Sequence, residues 1–161
     1  MARPKLSDGD LRAWRAVLRA QAAAVRRINA SLTDSGGLAL ESYDVLLELY
    51  HAPGRRLRLG ELGERVVLTR SGISRLVSRL EREGLVEREA VDGDGRGVVA
   101  HLTREGVRRF RATWPLYARG IDEHFARHLR RGDAARVASA LERVVDAAAD
   151  GPGDQRTGRG S

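Results

Sequence analysis

Between Thr69 and Leu102 the chain reads as a helix, a stop and two short strands around a turn, and few folds accept that run. Ile73, Leu76, Val77 and Leu80 fall at i, i+3, i+4 and i+7, the inner stripe of a helix that Thr69 caps and that runs to about Glu83. Gly84 stands where helices commonly end. A strand over 85–90, a Gly/Asp-rich turn over 91–97 and a second strand over 98–102 then form a β-hairpin with a long tip. The helix face opposite the apolar stripe presents Arg70, Ser71, Ser74, Arg75, Ser78 and Arg79, with three Arg and no acid between 70 and 79.

The flanking segments read as helices. Ser7 is a plausible N-cap, with Asp8 and Asp10 complementing the helix dipole. Leu11, Trp14, Leu18, Gln21, Val25, Ile28 and Leu32 then recur at alternating steps of three and four, a seam that suits lengthwise helix packing, and the helix should stop near 35–37. A second helix over about 40–50 is apolar around most of its circumference (Tyr43, Val45, Leu46, Leu47, Leu49, Tyr50), as a central helix is. Pro53-Gly54 ends it, Arg58 marks a very short strand, a short helix over 60–66 buries Leu62, and Val67-Leu68 makes a turn. After the hairpin Thr103 caps a long helix whose expected buried stripe is Phe110, Trp114, Tyr117, Ile121 and Phe125, with Pro115 expected to kink it. Gly132-Asp133 breaks the chain before a last helix, 134–149, with Val137, Leu141, Val144 and Ala148 as its seam. The polar, Gly-rich end 150–161 is expected to be disordered. A short helix, a tight turn and a basic helix make a helix-turn-helix, and a hairpin directly after it makes a winged one. The fold class is therefore mainly α with a small β-hairpin wing.

Composition narrows the function. The 161 residues include 29 Lys+Arg, 22 Asp+Glu and no Cys, for a net charge of +7. Residues 53–111 hold fourteen Arg and nine acids, so the positive field concentrates on the winged segment and nucleic acid is the first partner expected. The absence of Cys excludes disulfides, thiol nucleophiles and thiol redox switching. No apolar run approaches a membrane span, and the first ten residues lack a signal-peptide core, so a cytoplasmic location, nucleoid-associated when on DNA, is expected. No nucleophile elbow, phosphate loop or H-E-x-x-H motif is present, so neither an enzyme nor a cofactor is expected. His124 and His128 are at i, i+4 with Asp122 and Glu123 nearby, a spacing that can hold Zn²⁺. This pair supplies two of the four ligands a structural site needs, and solvated or interface His is the plainer reading.

The chemistry of the basic helix suits duplex DNA. Ser hydroxyls can meet phosphates or base edges, Arg can bind guanine through two hydrogen bonds, and the helix N-terminus at 69–71 favours a phosphate. Arg96, flanked by glycines at the wing tip, fits insertion beside a narrow minor groove. The plainer alternatives are pairing of Arg79 with Glu83, of Arg75 in the neighbourhood of Glu81, and of Arg96 with Asp94. Trp14, Tyr43, His51, Trp114 and Tyr117 fall on helices that should meet and could line an effector pocket; core packing is the alternative.

The string SGISRLVSRLEREGLVERE followed by DGDGRGVVAHLTREG resembles the MarR family of bacterial transcription regulators over residues 40–106. The resemblance is carried by Arg75-Leu76-Val77-Ser78-Arg79-Leu80, Gly84-Leu85-Val86-Glu87-Arg88, Asp94-Gly95-Arg96 and Leu102-Thr103-Arg104-Glu105-Gly106. Ser78 departs from it, standing where the family usually has Asp. The resemblance implies a homodimer whose flanking helices, 1–37 and 104–149, form a dimerisation region around a winged helix-turn-helix at 38–103. It further implies a repressor on a pseudo-palindromic DNA operator, contacted by the helix positions above and by Asp94 and Arg96 of the wing, and release by a small aromatic or anionic effector. An architectural DNA-binding protein with little sequence preference and a winged-helix protein-interaction module are the competing classes.

Overall fold

A computed structural model describes residues 5–66, 68–90 and 97–149, with the side chains of Arg70 and Ala149 excepted. The expectations for Val67, for Asp94 and Arg96 at the wing tip, and for 150–161 lie outside the described residues. In order the elements are α1 (Asp8–Asp34), α2 (Leu40–His51), a 3-10 turn (Pro53–Arg55), β1 (Arg56–Arg58), α3 (Leu59–Arg65), α4 (Arg70–Arg82), β2 (Val86–Ala90), β3 (Val98–Leu102), α5 (Arg104–His124), a second 3-10 turn (Ala126–His128) and α6 (Asp133–Ala149). They divide into two compact units, the first ending at His124 and the second beginning at Phe125. Among the described residues no helix is long and apolar enough to cross a membrane.

The first unit is built around α2. Tyr43, Val45, Leu46 and Leu49 of α2 are buried, as are Leu62 of α3, Ile73, Leu76, Val77 and Leu80 of α4, Ala100 of β3 and Phe110 of α5, in one core. Burying a Leu, Val or Phe side chain contributes roughly 1.5–3 kcal/mol, so the α4 stripe alone fixes which face of that helix looks outward. Thr69 caps α4 by accepting the Gly72 N–H at 3.1 Å, and Gly84, at φ +70°, ends the turn after it in the left-handed region glycine favours. The sheet is antiparallel in the order β1-β3-β2, with Leu57 opposite Ala100 and Val86 opposite Leu102. The winged helix-turn-helix is present as read from the sequence.

Two polar residues fasten the flanking helices to this core. The buried Thr113 hydroxyl of α5 accepts the Leu38 N–H at 3.2 Å and donates to the Arg109 carbonyl at 2.9 Å. Asn29 of α1 accepts the Leu40 N–H at 2.8 Å, so the loop entering α2 is held from both sides. Ile28 of α1 packs against Gly120 of α5. The α5 helix runs through Pro115 to His124.

The expected stripe of α5 is corrected at two positions. Phe110 is buried and Tyr117 and Ile121 are half-buried, but Trp114 is 53% exposed and Phe125 lies beyond the helix and is also exposed. The second unit holds the second 3-10 turn and α6, where the Asp133 carboxylate accepts the Arg130 N–H at 3.0 Å and Val137, Leu141, Val144 and Val145 are exposed.

Candidate nucleic-acid interface

The sequence placed six residues on the outer face of α4, and the structure separates them by what their polar atoms already hold. Ser71 and Arg75 are exposed and Ser74 is half-buried. Arg75 donates from Nε to the Ser71 carbonyl at 3.3 Å, a contact within its own helix that leaves the guanidinium without an acidic partner among the described residues. Thr69 and Ser71 stand at the helix start, their hydroxyl oxygens 3.3 Å apart. No acid occupies the first turn of α4, so its positive end is not neutralised locally.

Arg79 and Ser78 are engaged within the fold. Arg79 donates from one terminal nitrogen to Glu41 Oε1 at 2.7 Å and to the buried Ser42 Oγ at 3.0 Å, tying α4 to the start of α2. The expected partner Glu83 lies farther off, 3.9 Å from Arg79 Nε. Ser78 Oγ donates to the Ser74 carbonyl at 2.8 Å and accepts from Arg88 of β2 at 3.0 Å.

Arg82 was not singled out in the sequence. It is exposed, donates from Nε to the Ser78 carbonyl at 3.4 Å, and has no acidic partner among the described residues. Its signal was available: Arg75, Arg79 and Arg82 stand at i, i+4 and i+7, on one helix face. Those three line a groove of about 330 Å³ together with Glu41, Leu68, Gly72 and Leu76. The candidate surface is thus a cationic groove beside an exposed helix N-terminus.

The five aromatic candidates divide similarly. Tyr43 stacks on Phe110 and meets Tyr117 edge-on, both at 4.9 Å between ring centroids, and Tyr117 meets Trp114 edge-on at 6.3 Å. Tyr50 stands 4.9 Å from Phe110 and carries His51 at 5.4 Å. Four candidates therefore belong to one continuous chain of rings that passes through the core and surfaces at His51 and at Trp114, whereas Trp14 lies exposed on α1 outside it. Burial pushes the Tyr43 phenol up to about 12, with the Tyr117 and Asp44 charges adding to the effect. Tyr117 is raised for the same first reason, with Asp44 again adding, and Asp44 itself is raised by burial and by neighbouring Glu48.

The proposed histidine spacing dissolves. The α5 helix ends at His124 and Phe125 leaves helical geometry at φ −141°, so His124 and His128 do not share a helix face. His124 Nε2 instead lies 3.0 Å from Ser31 Oγ of α1. Among the described residues no group of three or more His, Asp or Glu stands close enough to hold a metal ion.

Residues 36–97 match the sequence model of the MarR family. The chain also aligns with the PcaV transcriptional regulator of Streptomyces coelicolor, solved with its natural ligand, at 34% identity and a TM-score of 0.68 over 92% of this chain and 99% of that one. The chain belongs to the MarR family. Another MarR-family regulator of Streptomyces coelicolor, Sco3205, solved in complex with DNA, is 28% identical with a TM-score of 0.78, over 98% of this chain and 97% of that one. The uncharacterised HTH-type transcriptional regulator YkoM of Bacillus subtilis (strain 168) is 32% identical over 81 residues, covering 50% of this chain and 52% of that protein. The chain spans about half the length of the curated relatives it matches first. The MarR sequence match runs from before α2 to residue 97 and so stops short of β3 and of Leu102–Gly106; the structural alignments extend over these and the flanking helices.

Proposed function

We propose that this chain is a homodimeric, operator-specific transcriptional repressor that places α4 in the major groove of duplex DNA. The carrying observation is the outer face of α4, where Arg75 and Arg82 project without acidic partners among the described residues, beside an uncompensated helix N-terminus. Thr69, Ser71 and Ser74 supply short hydrogen-bonding groups on the same face, and Arg70 extends it on sequence grounds. Arg79 holds α4 against α2 and so sets its depth rather than reading bases. Arg96, from the sequence alone, is assigned to the adjacent minor groove, with Asp94 as its neighbour in the wing motif. Two wings and two helices in a dimer reach half-sites about one helical turn apart.

The ring chain favours a small aromatic effector stacking at exposed Trp114. An anion entering along it would meet the half-buried Asp44 and two phenols, so of the two effector classes the neutral aromatic suits this site.

Selection of bound duplexes from a random pool, followed by affinity against salt, tests this reading. An inverted repeat bound far more tightly than random DNA is expected. Arg75→Ala and Arg82→Ala should each lower the salt slope by about one, and Arg75→Ala should also relax preference at one base pair. Uniform binding without a motif would favour an architectural role; no binding at any salt would favour a protein-interaction module.

A further inference from the structure

We infer that Glu81 and Arg88 form the joint that holds the wing at a fixed angle to the recognition helix, and that Ser78 is consumed by this joint instead of reading DNA. Arg88 of β2 reaches back across Gly84 to α4, donating from Nε to Glu81 Oε2 at 2.7 Å and from a terminal nitrogen to Ser78 Oγ at 3.0 Å. The Ser78 hydroxyl has one proton, and that proton goes to the Ser74 carbonyl at 2.8 Å. Its accepting side faces Arg88, which leaves no donor for a base edge.

The placement of β2 makes this joint consequential. β2 is an edge of the three-stranded sheet, and only Val86 at its base is buried; residues 87–90 are exposed. β3 is anchored by Val99 and Ala100, but beyond Val86 the described contact from β2 to the recognition helix is the Arg88 fork. Ser78 cannot neutralise a guanidinium, so the charge comes from Glu81, three residues on and on the same helix face. The Arg88 hydrogen bond also holds the Glu81 carboxyl below the usual carboxylate range, as a preformed pair would. A hairpin held at one angle meets the minor groove without an ordering cost at binding, so the joint is a positioning element for the DNA contact proposed above and rests on that reading.

Glu81→Ala tests it, since Ala is the better helix former and should leave α4 itself intact. In the free protein, amide hydrogen exchange over 87–90 should accelerate while the core amides of α2 and α4 stay protected. Ser78→Asp in the Glu81→Ala background places a carboxylate on the Arg88 nitrogen now 3.0 Å from Ser78 Oγ, and should restore that protection. On the selected operator, Glu81→Ala should weaken binding roughly tenfold and Ser78→Asp should recover most of it. Unchanged exchange in Glu81→Ala, a failure of Ser78→Asp to rescue, or loosened exchange with unaltered operator affinity would each overturn the inference. If exchange loosens and is rescued while even the wild type binds no duplex, the joint stands and the DNA-binding reading is what fails.

Discussion

A Cβ on Gly106 would stand 2.1 Å from the Leu85 carbonyl oxygen and 2.7 Å from Leu102 Cδ1. The backbone carbonyl cannot yield: it already accepts the Thr103 N–H at 3.2 Å, and the Thr103 hydroxyl fixes the adjacent Gly84 carbonyl at 2.7 Å, whereas the Leu102 methyl is a side-chain end that can shift. The L-T-x-x-G string is thus a steric requirement where α5 starts against the end of the hairpin. Gly106→Ala should destabilise the fold by about 3 kcal/mol, the upper end for overpacking, seen as a drop in thermal midpoint. A midpoint within a degree of wild type would mean that the α5 start is free to move. The same scale shows what could not be read in advance. From the sequence, Arg79 has an obvious partner at Glu83, yet Glu41, 38 positions earlier, lies 1.2 Å nearer at 2.7 Å against 3.9 Å. Ser78 is likewise decided by Arg88, ten residues on and across a turn. Local spacing names the face of a helix; it does not say which groups on that face a distant strand has already taken.

At the scale of elements the reading was close, because caps, stripes and stops are local. The interior stripe of α4, its Thr69 cap and the Gly84 stop all stand where their chemistry put them. At α5 the five positions of the expected stripe share one period but not one degree of burial. Trp114 lies between Phe110 and Tyr117 on the periodic face yet stays exposed, its ring only edging onto Tyr117, and Phe125 falls past the helix end; beyond Tyr117, α5 packs on α1 through small contacts such as Gly120 with Ile28. The start of α1 carries a pH prediction. Ser7 and Asp10 form a capping box: the Asp10 carboxylate accepts the Ser7 N–H at 2.9 Å and its hydroxyl at 2.7 Å, while Ser7 Oγ accepts the Asp10 N–H. These hydrogen bonds hold Asp10 below its ordinary value. A carboxyl lowered on folding contributes above its unfolded value and loses that contribution as pH falls through the lowered one. Amides of the first turn should therefore exchange faster, relative to an unstructured reference, in acid than at pH 7. Ser7→Ala should show at pH 7 the fraying that wild type shows in acid. Equal protection of that turn at both pH values would remove the capping box as its cause.

At the scale of the whole molecule, the long seam of α1 splits into two halves with different destinations. Ile28 and Leu32 are buried within the first unit, whereas Leu11, Leu18 and Val25 are exposed and Trp14 is 61% exposed. The periodicity predicted a packed seam along all of it, and period alone cannot say whether the covering helix belongs to the same chain or to another. Within this chain nothing covers the N-terminal half among the described residues, and Val144 and Val145 of α6 are equally bare. The bare half of the α1 seam is an apolar surface of the kind that serves association, and under the proposed function a second copy is the partner that a two-half-site operator requires. Trp14→Glu with Leu18→Glu should then leave the core intact, since neither side chain is buried there, while shifting sedimentation from dimer to monomer at micromolar concentration. Because the two half-sites would no longer be engaged together, operator affinity should fall by 10²-fold or more, roughly the avidity that linkage supplies, while binding to a single half-site stays near its starting value. A wild-type monomer in solution, or a double variant that remains dimeric, would place the interface elsewhere. Loss of half-site binding together with the dimer would mean instead that α1 supports the DNA-binding lobe from within, and that the exposed half of its seam serves the fold of each copy.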